Sequence, residues 1–177
     1  MTARDTGLPS LLREIENYVA AGGWDQGARL FALVPTDELL AREPGLASLL
    51  GAGADAPDGA TAMTPVEQEE LPDHATLEEL LRGLAWPREV AGAALVVERV
   101  VLPPEAEAEL PSDEAAALAL LSTHPLRQEV RLAVATLRGG GRCAAMRFRL
   151  HDDPAEVLLG PDLVPGLTEA LASTLED

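Results

Sequence analysis

The sequence predicts an α+β fold, with a mainly antiparallel sheet of about four strands and helices packed on one face. Three observations predict it. Residues 128–150 read QEVRLAVATL, RGGGR and CAAMRFRL, two alternating segments joined by glycines, the pattern of a β-hairpin. Residues 90–102, VAGAALVVERVVL, form the longest β-branched run, and Pro103-Pro104 closes it. Around these runs lie helical patterns with capping residues in front and glycine or proline behind.

The 177 residues suit a single domain spanning 1–177, and 47% hydrophobic content gives it a core to bury. Aromatics make up only 3%, so Leu, Val and Ala must fill that core. No apolar run approaches the roughly 18 residues that span a bilayer. The opening MTARDTGLPS lacks the basic start and apolar stretch of a signal peptide, so a cytoplasmic location is expected. The net charge of −17 opposes binding to nucleic acid or anionic lipid and favours neutral or basic partners. All thirteen basic residues are arginine, the better residue for forked pairing with carboxylates. The single cysteine, Cys143, allows no internal disulfide and reads as a small residue packed in a strand.

In chain order, residues 8–21 show helical spacing of Leu8, Leu11, Leu12, Ile15 and Val19. Arg13, Glu14, Glu16 and Asn17 are read away from that face, and Gly22-Gly23 ends the helix. Trp24 is expected to pack the helix exit against the sheet. Residues 29–34, RLFALV, form a strand that is apolar on both faces, which implies an interior position or cover on both sides. Thr36 is placed to cap a short helix, DELLARE, and LASLL adds one more turn. Residues 51–62, rich in Gly, Pro and Ala, read as a mobile loop. Thr64-Pro65-Val66-Glu67 and Thr76–Glu79 both have the form of a capping box that opens a helix. Ser112 caps DEAAALALL, Asp153 caps a further short helix, and residues 162–175 form the last one.

Hairpin register separates two faces. If Arg138 and Arg142 flank a GGG loop, Val130 faces Leu150, Leu132 faces Phe148, Val134 faces Met146 and Thr136 faces Ala144, an apolar side. The other side pairs Glu129 with His151, Arg131 with Arg149, Ala133 with Arg147, Ala135 with Ala145, and Leu137 with Cys143. The segment 127–149 holds six arginines and one acid, a local balance of +5 in a chain whose remainder sums to −22. A like-charge pair across strands is unfavourable unless anions intervene. Those anions can be acids of the same chain (Glu129, Glu98 or acids of a covering helix or loop), carboxylates of a partner, or a small anion. Ala133, Ala135 and Ala145 leave the floor low enough for something to pack over it.

No catalytic motif is present, and the function is left unassigned by the residues. His151, Asp152, Asp153 and Glu129 could ligate a divalent metal, but no HxxxH or CxxC spacing supports this. No serine sits in a G-x-S-x-G context, no glycine-rich phosphate loop occurs, and the arginine face lacks the aromatics of an RNA-reading sheet. No metal or other cofactor is implied.

The stretches GGWDQGARLFALVPTDELL, LAWPREVAGAALVVERVVLP, HPLRQEVRLAVATLRGGG and HDDPAEVLLGPDLVPGLTEAL together resemble an uncharacterised family of short actinobacterial proteins. The resemblance covers nearly all of the chain outside 51–62. It implies a bacterial cytoplasmic protein and carries over no activity or catalytic residue. The strand and helix order is also similar to that of the small acidic chaperones of type III secretion, which implies an α+β dimer. The expectation is a non-catalytic binding or adaptor protein that meets a protein partner or a second copy through Arg127, Glu129, Arg131, Arg147, Arg149 and His151. The alternative is a small-anion sensor or enzyme built on the same residues.

Overall fold

Leu8, Leu11, Leu12, Ile15 and Val19 share one side of the first helix, α1 (Gly7–Ala20), and all five are buried. A computed structural model describes residues 7–43, 45, 63–69, 71 and 76–176. After α1 come β1 (Arg29–Pro35), α2 (Thr36–Arg42), β2 (Met63–Glu67), α3 (Leu77–Arg82) and β3 (Gly92–Val101). Then follow α4 (Pro104–Glu107), α5 (Glu114–Thr123), β4 (Gln128–Leu137) and β5 (Arg142–Phe148). Two 3-10 turns, Arg149–His151 and Pro154–Glu156, lead to β6 (Leu158–Gly160) and α6 (Pro165–Ser173).

The strands form one antiparallel sheet in the order β2-β1-β3-β4-β5-β6. Among the described residues it has six strands, not about four. The two extra strands are the short edges β2 and β6, whose patterns are too brief or too proline-marked to read as strands. The sheet is also covered on both faces, which corrects the expectation of helices on one. Against one face, α1 packs on Phe31, Leu33, Ala94, Val96, Ala133 and Ala135. Against the other, α6 and α3 bring Leu171 and Leu81 onto Leu30, Leu95, Val97, Leu132 and Val134. The central strands are apolar at nearly every position because both of their faces are dry.

Several local expectations are corrected. Thr64–Glu67 opens no helix; it lies in β2, antiparallel to β1. Proline, which cannot donate to a ladder, is tolerated on such an edge. Glu67 there accepts two bonds from Arg29, at 2.9 and 2.7 Å, where a helix-start role was expected. Thr36 does not cap α2; its buried hydroxyl meets that of Thr64 at 2.9 Å. Asp113, one residue after Ser112, caps α5 by accepting from the Ala116 N–H. Thr76 caps α3 as the capping-box pattern indicates. The extra turn at LASLL and the 51–62 loop lie outside the described residues.

The hairpin register is shifted by two. Val130 pairs with Phe148, Arg131 with Arg147 and Leu132 with Met146, because the turn closes on the Leu137 N–H to Gly141 carbonyl bond. Arg138, Gly139 and Gly140 form the turn, with Gly140 in the left-handed region at φ 103°. A shift of two preserves the side-chain alternation, so the two faces hold the predicted residues. Arg138 is more than a turn charge. Its guanidinium donates to the carbonyls of Val90, Pro87 and Leu175 and ties the hairpin tip to the end of α6.

Candidate functional site

β4 and β5 set Arg131 and Arg147 directly opposite each other. Two guanidinium groups so placed repel unless an anion lies between them. That anion is Glu16 of α1. The low floor of Ala133, Ala135 and Ala145 lets α1 settle close, and Glu16 enters among the arginines with 1% of its surface exposed. Its two oxygens accept from Arg147 at 2.6 and 2.8 Å, a forked pair, and one of them lies 3.8 Å from Arg131. The earlier placement of Glu16 away from the apolar face is therefore corrected. At 100° per residue it falls one turn beyond Leu12 and beside Val19, inside the buried stripe.

The chain leaving α1 closes over the arginines. Gly23 (φ 85°) and Asp25 (φ 67°) adopt left-handed backbone, which turns the strand of chain back across the sheet. The Gly23 carbonyl accepts from Arg131, and the Trp24 ring covers the Arg131 guanidinium at 4.4 Å. Trp24 also lies 5.6 Å from the Arg149 guanidinium, and its indole N–H donates to Asp152 at 3.1 Å. Glu98 of β3 accepts from the backbone N–H groups of Asp25 and Gln26 and pairs with Arg131 at 3.4 Å. Arg147 further pairs with Asp152 at 2.9 Å, and Arg149 lies between Asp25 and Glu129 at 3.0 and 3.2 Å. Trp24 thus does pack the helix exit on the sheet, and the acids that answer the arginines come from the same chain. Arg131 is fully buried, and its Nε and Nη1 find no hydrogen-bond partner among the described residues.

The six residues singled out from the sequence are therefore split. Arg131 and Arg147 lie sealed beneath α1. Arg127, Glu129, Arg149 and His151 lie at the sheet rim, where Arg127 donates to the His124 carbonyl and His151 stands 3.5 Å from Glu156. The metal constellation disperses: Asp152 is held by Arg147 and Trp24, and Asp153 caps Ala155. Among the described residues, no group of three or more metal-ligating side chains is assembled. Burial pushes the Cys143 thiol up, which leaves it a poor nucleophile.

Two carboxylates are shifted down. The hydrogen bond from Arg147, then that from Trp24, holds Asp152 below its ordinary 3.8. The hydrogen bond from Arg29 holds Glu67 below its ordinary 4.5. A carboxylate with a depressed folded value stabilises the fold fully above its unfolded value, and that contribution is lost as pH falls through the folded one. The melting temperature is therefore expected to decline below about pH 4 to 5. Glu67→Gln should start lower at neutral pH and fall less on acidification. An acid decline as steep in the variant as in the parent would count against the pairing.

Beside this cluster the rim changes character. α5, EAAALALLST, buries none of its residues, and Leu118 is 60% exposed. A groove of about 370 Å³ runs between α5 and the end of β3, lined by Val100, Leu118, Leu121, Arg99, Glu98 and Glu129. A second cavity, about 540 Å³, lies at α3 and α6 and is walled by Leu81, Leu84, Trp86, Ala170 and Leu175. Among the described residues, the α5 groove thus presents two carboxylates beside a single cation, an arrangement unsuited to a small anion. α5 was read as an ordinary capped helix. Its alanine and leucine on every side were the available signal that it lacks a wet face.

These features define an α+β protein with one antiparallel sheet, a buried ion cluster and an apolar helix at the sheet rim. Among protein families the match is to PPA1309-like protein over residues 8–176, and the chain belongs to that family. No curated protein and no solved structure matches it. Among the described residues, no helix is long and apolar enough to cross a membrane.

Proposed function

We propose that the protein is a non-catalytic protein-binding or adaptor protein that docks its partner on the sheet rim, at α5 and the groove beside it. The exposure of α5 carries this reading. A helix on the surface of a domain normally buries an apolar stripe and wets a polar face. α5 has no such division, and it leaves Leu118 and Leu120 in water. Leu126, just after α5, and Leu150, just after β5, add exposed apolar side chains at the same end of the sheet. Large apolar side chains left exposed at one end of a domain are the kind of surface that marks an interaction site. Arg127, Glu129, Arg149 and His151 supply the polar margin that interfaces have around an apolar centre.

A photo-crosslinking residue placed at Leu118 tests this in cells, with the same residue at exposed Arg13 of α1 as the control. A discrete adduct is expected from position 118 and none from position 13. Leu126→Glu in the same chain should abolish it. An adduct with another protein or with a second copy supports the reading. Equal labelling from both positions, or none at 118, overturns it.

A further inference from the structure

We infer that the occupant of the α5 groove is an amphipathic helix from another protein, with leucine-like residues on one face and Lys or Arg on the other. The inference rests on the docking reading above and names the partner's chemistry.

Charge complementarity decides it. Residues 104–129 hold six acids, Glu105, Glu107, Glu109, Asp113, Glu114 and Glu129, against Arg127 alone. Asp113 caps α5, and Glu129 answers Arg149. Glu105, Glu107, Glu109 and Glu114 are exposed and have no ion-pair partner among the described residues. Glu114 opens the apolar helix itself, and Glu105, Glu107 and Glu109 lie in the chain that leads into it. Among the described residues, Arg99 is the one cation lining the groove, with Glu98 and Glu129 beside it. A second copy would bring the same acids to the contact, in a chain already at −17, so like charges would oppose it. A basic partner is drawn to this margin and held by it.

The shape suits a helix. α5 is about 15 Å long at its ten residues. Leu118 and Leu121 stand three apart, so they form a ridge on one side of it. Ala115, Ala116, Ala117 and Ala119 keep much of the surface beside that ridge low, so a second helix can approach closely. An apolar face laid into such a groove, read by residues three and four apart, is a recurring mode of helix recognition.

Three synthetic peptides of about 18 residues, five helical turns each, test the inference against the full chain by fluorescence anisotropy. One has a leucine face and a Lys/Arg face, one keeps the leucines and carries Glu, and one keeps the Lys/Arg and replaces leucine with serine. Saturable binding is expected for the first alone. Leu118→Glu should weaken it by about tenfold, the effect of losing a central apolar anchor. Reversing Glu105, Glu107 and Glu109 to lysine should weaken it similarly. Reversing Glu38 and Glu43, exposed acids elsewhere, should leave it unchanged. All these positions are exposed, and unchanged melting of each variant confirms the fold.

Equal binding of the leucine/Glu peptide, or of the serine peptide, overturns the inference, as does indifference to Leu118→Glu. A parent that sediments as a dimer and a Leu118→Glu variant that sediments as a monomer would assign the groove to a second copy. That result overturns the basic helix and leaves the docking reading standing. No peptide binding together with no adduct at position 118 removes both. Where an adduct forms with another protein, a contacting segment without Lys or Arg overturns the inference and a basic helical segment supports it.

Discussion

Replacing Glu16 with leucine is expected to cost the fold about 3–5 kcal/mol, the usual consequence of removing one partner of a buried ion pair. For a chain of this length that corresponds to a fall of roughly 10 °C in melting temperature. The loss comes less from the attraction itself than from what is left behind. Arg131 and Arg147 are 0% and 3% exposed, and Glu16 is the carboxylate between them. Without it, two guanidinium groups face each other in a dry space, and Arg147 loses its fork. Leucine fits the volume, so packing is not the cause. The cause can be isolated: Glu16→Leu combined with Arg131→Met and Arg147→Met removes the three buried charges at once, leaves Glu98 and Asp152 at the more exposed margin, and should recover most of the loss. Urea unfolding of the parent, the single variant and the triple variant reads the difference. A single variant as stable as the parent would exclude the buried pairing.

Gly92→Ala is expected to be nearly as severe, for a steric reason. Gly92 begins β3 opposite Leu137 of β4. A Cβ added there would lie 2.4 Å from the Thr136 carbonyl oxygen and 2.7 Å from Leu137 Cδ2. A side chain can turn away, but a backbone carbonyl inside a central ladder cannot. Overpacking of this kind costs about 1–3 kcal/mol and can exceed it where the backbone is the obstacle. Adding Leu137→Ala should not restore stability, because the nearer contact remains. Full recovery in that double variant would place the strain in the side chain and contradict the geometry.

Much of this arrangement could be read in the residues, and the gaps have physical reasons. The alternation along 128–150 identified both faces of the hairpin even though the register was two residues off, because a slip of two leaves side-chain direction unchanged. Ala133, Ala135 and Ala145 showed that there is room for something to pack over the arginines. They could not say what, since the covering helix lies more than a hundred residues earlier. Glu16 was the missed residue. An acid in a helix is ordinarily solvated, and only its place one turn beyond Leu12 marked it as buried. Thr64–Glu67 misled because Thr-Pro-x-Glu describes the start of a helix as well as it describes an edge strand. The choice was made by Arg29 on the neighbouring strand, a contact that local pattern does not contain. The two-sided cover of the sheet was foreshadowed by RLFALV, apolar at every position after its first, but one strand was too little to extend to the whole sheet.

The buried pair also orders events in the life of the chain. Glu16 and Arg147 are separated by 131 residues. During synthesis α1 emerges long before the hairpin that neutralises its carboxylate and covers its leucines. At translation rates of about 5–20 residues per second, several seconds pass between the two. Through that interval the helix can neither dock nor discharge, and its apolar side stays open to solvent and to chaperones. A helix made more than a hundred residues before the hairpin thus finds its place late. Long-range closure of this kind makes folding slow, and it ties the docking of α1 to completion of the sheet.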